Sequence, residues 1–416
     1  MKRWTLTFSI FLSVMLAAFA VAGDSSHLLR EIEAEVPAFM STWERIVNID
    51  SGTGDAGGLA KVEAVIVQRL NELGAKVEIV PAKPAVGNCI VGTFKGTGKT
   101  RIMMMIHYDT VFQKGAAAKR PFRVEGKRAF GPGVADAKSG VALILHAVKL
   151  LHALNFTEYG SLTVLFNPDE EESSLGSRNL IQEVAAEQDY VLSYEPAEGD
   201  IVTVATNGIA RVHLTVKGLA SHAGSAPEKG RNAAIELAHQ LLQLNELGDP
   251  DKRTTVNWTV LRAGQKVNVI PDEARAIADM RLSQSSELQR VQRQAEKIVQ
   301  KHLVPGTDVT VKVENRRPPL PRNRASDEMA ETAKRICREI GYQIEPAEMR
   351  FGTDAGFAYN PAGDKPAVLE SMGILGNGYH TRDESAEIYK YAEIDSIVPR
   401  LYLTVRMIQE LSGVRP

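Results

Sequence analysis

Cysteine is nearly absent from this chain, with two in 416 residues: Cys89 in the strand-like "NCIVGTF" and Cys337 on the helix-like "ETAKRICREI". That count excludes a disulfide scaffold. The better expectation is two buried thiols acting as small hydrophobes, the alternative being one disulfide in an exported protein. Aromatics are sparse at 6%, and neither charge dominates, since 49 Lys and Arg against 51 Asp and Glu leave a formal −2. A nucleic-acid footprint and a basic membrane-binding surface are therefore not indicated, and small-molecule chemistry is favoured. Repeats and low-complexity segments are missing too. What is present is 44% hydrophobic residues in a chain long enough for two domains and a sizeable core.

The first residues, "MKRWTLTFSIFLSVMLAAFAVAGDSS", carry Lys2 and Arg3, an apolar run from Trp4, and small residues at Ala18, Ala20 and Ala22. This is the pattern of a secretory signal peptide, expected over residues 1–22. A membrane anchor fits less well, because Thr5, Thr7, Ser9 and Ser13 interrupt the run. Cleavage would remove Lys2 and Arg3, taking the formal charge from −2 to −4. It would leave an exported protein, periplasmic or secreted, with no stable membrane association.

Beyond the leader, "AKVEIVP", "NCIVGTFKG", "RIMMMIH", "SLTVLF" and "YVLSYE" read as strands, and "KSGVALILHAVKLLHAL" and "SRNLIQEVAAE" as helices. Short apolar strands separated by helices imply an α/β domain with a mixed sheet covered by helices. From about residue 207 the order becomes strand, helix, two strands, helix, strand, a two-layer α+β unit closed by the Pro-rich "RRPPLPRN". The expected division is therefore 23–206 and 319–416 for a large α/β domain, interrupted by a smaller inserted one at 207–318.

The stretch "LTVLFNPDEEESSLGS" runs from a buried-looking strand into Asp169, Glu170, Glu171 and Glu172. Such a run is ordinarily a solvated loop. Adjacent carboxylates also raise one another's pKa unless a cation sits among them. Other metal-ligand types end neighbouring strands or lie in glycine-rich loops. His107 and Asp109 stand two apart in "IHYDT", which in extended chain puts both on one face and lets Asp109 orient the imidazole. Asp136 lies in "GPGVADAKSG", where it could be a helix cap or a ligand. Glu195 precedes a proline in "YVLSYEP", and His380 sits in "GNGYHTRDES". Two imidazoles and three carboxylates suit a pair of zinc ions, but they are dispersed, and spacing alone does not unite them.

The ordered set "HYDT", "GPGVADAKSG", "DEE", "EP", "SHAG", "GTDA" and "YH" resembles the co-catalytic zinc aminoacylase and carboxypeptidase family over nearly the whole mature chain. Stretches such as "PFRVEGKRAFGPG" and "GIARVHLTVKGLASHAG" are most similar to its exported bacterial members that release C-terminal glutamate from folates. The resemblance implies two Zn ions per subunit, bridged by Asp136. His107 and Glu195 would complete one site, Glu171 and His380 the other, with Glu170 as general base.

It further implies a homodimer in which the inserted domain is lid and dimerisation unit and His222 steadies the developing oxyanion across the dimer. Asn268 would be aimed at the same region as His222; Arg281 and the backbone at Gly352 and Thr353 would hold the substrate's carboxylate, and Arg317 would add charge for a glutamyl side chain. The implied substrate is an N-acyl amino acid or peptide, with nucleic acid excluded. Rival readings are a deacylase or dipeptidase with another acyl preference, and a metal-stabilised peptide-binding protein. Cobalt or manganese would suit the same N/O ligands. Two departures stand out: Glu172 and Ser173 occur where the family commonly has glycine, and Ala137 follows Asp136 at the family's cis peptide bond.

Overall fold

The computed structural model describes residues 4–360, 362, 365–377 and 391–413, with side chains described from residue 26 onward. The leader expected over residues 1–22 and the candidate ligand His380 lie outside the residues described at that level. Two compact units result: Met1–Val204 with Arg322–Ala347 and Phe357–Pro416, and Ala205–Pro321 with Glu348–Gly356.

The chain begins with helices α1 (Trp4–Val47) and α2 (Ala56–Glu72), then strands β1 (Lys76–Pro81), β2 (Asn88–Lys95) and β3 (Arg101–His107). Helix α3 (Lys138–Ala153), strand β4 (Ser161–Asn167), helix α4 (Arg178–Ala186) and strand β5 (Tyr190–Ser193) follow. The smaller unit contains β6 (Gly208–Lys217), β7 (Ser221–His222), α5 (Ala233–Leu244), β8 (Thr255–Ala263), β9 (Val269–Ile270), β10 (Glu273–Leu282), α6 (Ser286–Ile298) and β11 (Asp308–Arg317). Helix α7 (Arg324–Arg338), strand β12 (Ala367–Leu369) and helix α8 (Ile397–Leu411) complete the larger unit.

Its sheet runs β1-β2-β4-β3-β5-β12. Strands β4, β3, β5 and β12 are parallel, while β1 and β2 add an antiparallel edge. Every residue of β4 is buried, as a central strand covered on both faces requires. Helix α3 is buried almost all round and predominantly apolar, although its buried residues include Lys138, Ser139 and His146. The register pairs His107 with Asn167 and Met105 with Ser193, so β3, β4 and β5 end at the same edge. Ligand sites of open α/β sheets gather at such carboxyl ends. Trp43 of α1 is fully buried, and its indole Nε1 donates to Val134 O at 2.9 Å, anchoring the loop two residues before Asp136.

The smaller unit is a four-stranded antiparallel sheet, β8-β10-β6-β11, with α5 and α6 packed on it. Buried and more exposed residues alternate along β6 and β10, as a sheet covered on one face demands. Asn232 caps α5 through the amides of Ala234 and Ile235. Both cysteines are free and buried, so the expectation of two thiols holds, and burial pushes the Cys337 thiol up to about 12.

Candidate metal centre

His107 ends β3 with a fully buried ring. Its Nδ1 lies 3.1 Å from Asp109 Oδ1, and its Nε2 lies 3.2 Å from Asp136 Oδ1 and 3.6 Å from Glu195 Oε1. Ligand atoms of His107, Asp136 and Glu195 fall within 4.8 Å of one another. Asp136 is joined to Ala137 by a cis peptide bond, as the resemblance implied, and α3 begins at the next residue. Glu195 follows β5 and is buried.

Burial by itself would push the His107 pKa down, yet the charge of Glu195 and hydrogen bonds to Asp109, Asp136 and Glu195 hold it well above the ordinary histidine range. The surrounding carboxylates thus favour positive charge at His107, and the imidazole and carboxylate donors fit a divalent metal of the zinc type. The sign of the linkage follows. A pKa raised above the unfolded value of 6.5 gives stability that is complete below about pH 6.5 and is lost as pH rises through the folded value. The Tm of chelated protein should therefore fall as pH is raised above 6.5. Saturating metal should remove that slope by replacing the proton, and His107→Gln should flatten it. A slope identical in His107→Gln would refute the assignment.

Asp109 is fully buried, and its two oxygens accept four donors. Oδ1 accepts from His107 Nδ1 and from the Glu170 amide, each at 3.1 Å. Oδ2 accepts from the Thr53 hydroxyl at 2.6 Å and the Glu171 amide at 3.3 Å. The acidic run therefore divides by role. Glu170–Glu172 form one 3-10 turn pinned by Asp109, with Glu171 Oε1 accepting from the Val111 amide at 3.1 Å. Asp169 is instead a buried clasp for its own loop, accepting from the Gly176 amide at 2.7 Å and the Ser177 hydroxyl at 2.5 Å.

Ser173, one of the two residues at which the resemblance led to the expectation of glycine, and Ser174 after it adopt left-handed backbone, with φ of 70° and 52°. That conformation costs a residue other than glycine about 1–2 kcal/mol. The turn is held all the same, by Ser173 N–H to Glu170 O and Ser174 N–H to Asp169 O. Sequence reasoning overlooked two neighbours. Thr53 lies in "DSGTGDA", which read only as a turn. Lys138, just after the Asp136–Ala137 bond, is fully buried, donates to Ile49 O at 2.6 Å, and is pushed by burial down to about 7. A cavity of about 250 Å³ opens beside Glu171, walled in part by Thr53, Phe112, Lys114 and Glu172.

In the smaller unit, His222 is exposed at the end of β7, which pairs with β9 so that His222 faces Val269. Its Nδ1 accepts the amides of Gly224 and Ser225, both at 3.1 Å, which fixes the tautomer with the proton on Nε2. Asn268 lies alongside, its carbonyl accepting from the Ala223 amide at 3.0 Å. Arg281 is half-buried, with its fork engaged by Asp279 at 2.8 and 3.2 Å. Arg317 is buried. Its Nη1 donates to Gly352 O at 2.9 Å and its Nη2 lies 3.6 Å from Asp354. Thr353 is buried beside them, its hydroxyl oxygen accepting from the Ala355 amide at 3.3 Å. At Gly352 an added Cβ would lie 2.9 Å from Asn207 O, so the close approach there needs glycine.

Against known proteins, the model of Peptidase family M20/M25/M40 matches residues 103–410. Carboxypeptidase G2 of Pseudomonas sp. (strain RS-16) is 39% identical over 409 residues, covering 97% of each chain. Among solved structures, aminopeptidase PepT from Bacillus cereus is similar with a TM-score of 0.72 at 21% identity, over 90% of this chain and 98% of its own. A dinuclear metal binding peptidase of the M20 family from Bacillus subtilis has a TM-score of 0.65 at 15% identity, over 92% and 99%. At these identities the two structures speak for the fold alone.

Proposed function

This chain belongs to peptidase family M20/M25/M40, and on that premise we propose that it releases C-terminal glutamate from N-acyl or peptidyl substrates such as folates. It is a metal-dependent hydrolase of the carboxypeptidase type, similar along nearly its whole length to carboxypeptidase G2. The observation that carries the reading is the buried cluster of His107, Asp136 and Glu195 at the carboxyl edge of the sheet. Two zinc ions would be held by Asp136 between them, His107 and Glu195 on one, Glu171 and His380 on the other. When bound, they would polarise the amide carbonyl and acidify a water molecule.

The remaining chemistry falls to side chains. Glu170 takes the proton of the attacking water as the carbon–oxygen bond forms, then delivers it to the amide nitrogen as the carbon–nitrogen bond breaks. The products are the acid and a free amino acid. The Nε2–H of His222, its tautomer set by the Gly224 and Ser225 amides, donates to the oxygen on which negative charge develops. Asn268 is aimed at the same region as His222; Arg281, Gly352 and Thr353 bind the leaving residue's carboxylate, and Arg317, which holds Gly352 and Asp354, supports the glutamyl side chain.

The active form is proposed as a homodimer, with His222 of the partner subunit serving each centre. The sheet edges support this. At the β11 edge, Gln292 donates to Val311 O at 3.1 Å and accepts from the Val313 amide at 2.6 Å, so its amide covers the strand. Strand β8 instead exposes Val260 and Leu261, and the adjoining α5 exposes Ile235 and Leu242. An exposed apolar edge is suited to pairing with another chain. Export to the periplasm or beyond is proposed as well, on the signal-peptide pattern of residues 1–22.

The test is hydrolysis of folate and of benzoyl-glutamate, -aspartate and -alanine by zinc-loaded protein, with a chelator control. Chelator-sensitive release of glutamate ahead of alanine is expected. Cleavage of other acyl amino acids alone would overturn the glutamate preference. Silence from fully metallated protein would favour a peptide-binding role.

A further inference from the structure

We infer that Thr53 is a positioning residue of the metal centre: through Asp109 it sets where Glu170 and Glu171 stand relative to His107. This rests on reading the His107 cluster as the metal centre. Asp109 is buried without exposure, so its charge has to be satisfied by donors at close range. Each oxygen receives two, and three of the four donors belong to groups the centre must place: the His107 ring and the amides of Glu170 and Glu171. The fourth is the Thr53 hydroxyl. At 2.6 Å it is the shortest, in the range of a hydroxyl bound to an ionised carboxylate. Without it Oδ2 would keep only the Glu171 amide at 3.3 Å, and the carboxylate would be free to turn away from that bond.

The hydroxyl is not needed to hold its own turn. Thr53 N–H bonds to Thr110 O at 3.1 Å, and Thr110 N–H bonds to Ser51 O at 2.9 Å. Gly52 lies so close to the chain that an added Cβ would sit 2.1 Å from Phe112 O. Backbone contacts thus tie this turn to the segment following β3, which leaves the side chain to serve Asp109. Thr53 and Glu171 also line the same cavity of about 250 Å³.

The experiment compares Thr53→Val, which keeps the shape and loses the donor, with Thr53→Ser, which keeps the donor. Zinc affinity is measured by competition with a chromophoric chelator, without substrate. Thr53→Val should bind zinc about 10- to 100-fold more weakly, the range for loss of a partner that orients metal ligands. Its kcat on an acyl-glutamate should fall while KM changes little, and Thr53→Ser should restore both. If Thr53→Val does not fold, Thr53→Ala against Thr53→Ser has to separate in the same order. Asp55→Ala, which removes the cap bonded to the Gly58 amide at 3.2 Å, should lower Tm and leave zinc affinity alone. Wild-type zinc affinity in Thr53→Val, or equal damage in Thr53→Ser, overturns the inference. A wild type that binds zinc but cleaves no acyl amino acid would refute the proposed activity, and the affinity measurements would still decide the role of Thr53.

Discussion

Glu170→Gln should leave the protein folded and metal-loaded while lowering kcat by about 10²- to 10⁴-fold, the contribution typical of a positioned proton shuttle. The substitution keeps the side chain's shape, and the backbone amide of residue 170 would still bond to Asp109. Substrate contacts lie elsewhere in the proposal, so KM should hardly move. Glu171→Gln, one residue on, should do the opposite first: it should weaken metal binding, with activity recovering in excess zinc. Steady-state kinetics with metal analysis on both variants decide the matter. Normal turnover by metal-loaded Glu170→Gln would remove Glu170 from the mechanism. Metal loss in Glu170→Gln with none in Glu171→Gln would reverse the two roles.

Mixing two inactive proteins should restore activity if His222 acts across a dimer. His222→Ala keeps Glu170 and lacks the oxyanion donor; Glu170→Gln keeps the donor and lacks the base. After subunit exchange, half of the dimers are hybrids, and each hybrid has one centre with both groups and one with neither. Recovery to about a quarter of wild-type activity is expected for a two-fold symmetric pair. No recovery, despite exchange shown by mass, would mean that His222 works within its own subunit or not at all. Leu261→Lys adds a charge to the exposed β8 edge, where apolar area invites pairing. It should shift the protein to monomers by sedimentation and abolish activity with them.

Much of this was legible from residues alone because the information is local. Strand β4 and helix α3 are predominantly apolar runs, and each pattern matches the burial seen. The alternation along β6 and β10 likewise announces a sheet covered on one face. The acidic run was legible as a place of cost, but not the division within it. Asp169 and Glu170 are neighbours in sequence, yet one clasps Gly176 and Ser177 while the other hangs by its amide from Asp109. The left-handed backbone at Ser173 and Ser174 had no residue signal, since surrounding bonds impose it on serines. A small hairpin, Arg123–Glu125 with Arg128–Phe130, also went unread, because its partner Tyr391–Glu393 arrives from the far end of the chain.

By itself, then, the sequence determined the element types, the family and a set of candidate metal-ligating side chains, all properties of short windows and their order. Only the tertiary structure decided that His107, Asp136 and Glu195 meet within 4.8 Å, and that Thr53 is the fourth donor to Asp109. It also decided that Arg317 is buried against Gly352 and Asp354. The reason is that a carboxylate's role is set by its donors and its burial. Strand register and loop closure supply both, and no window of sequence contains either.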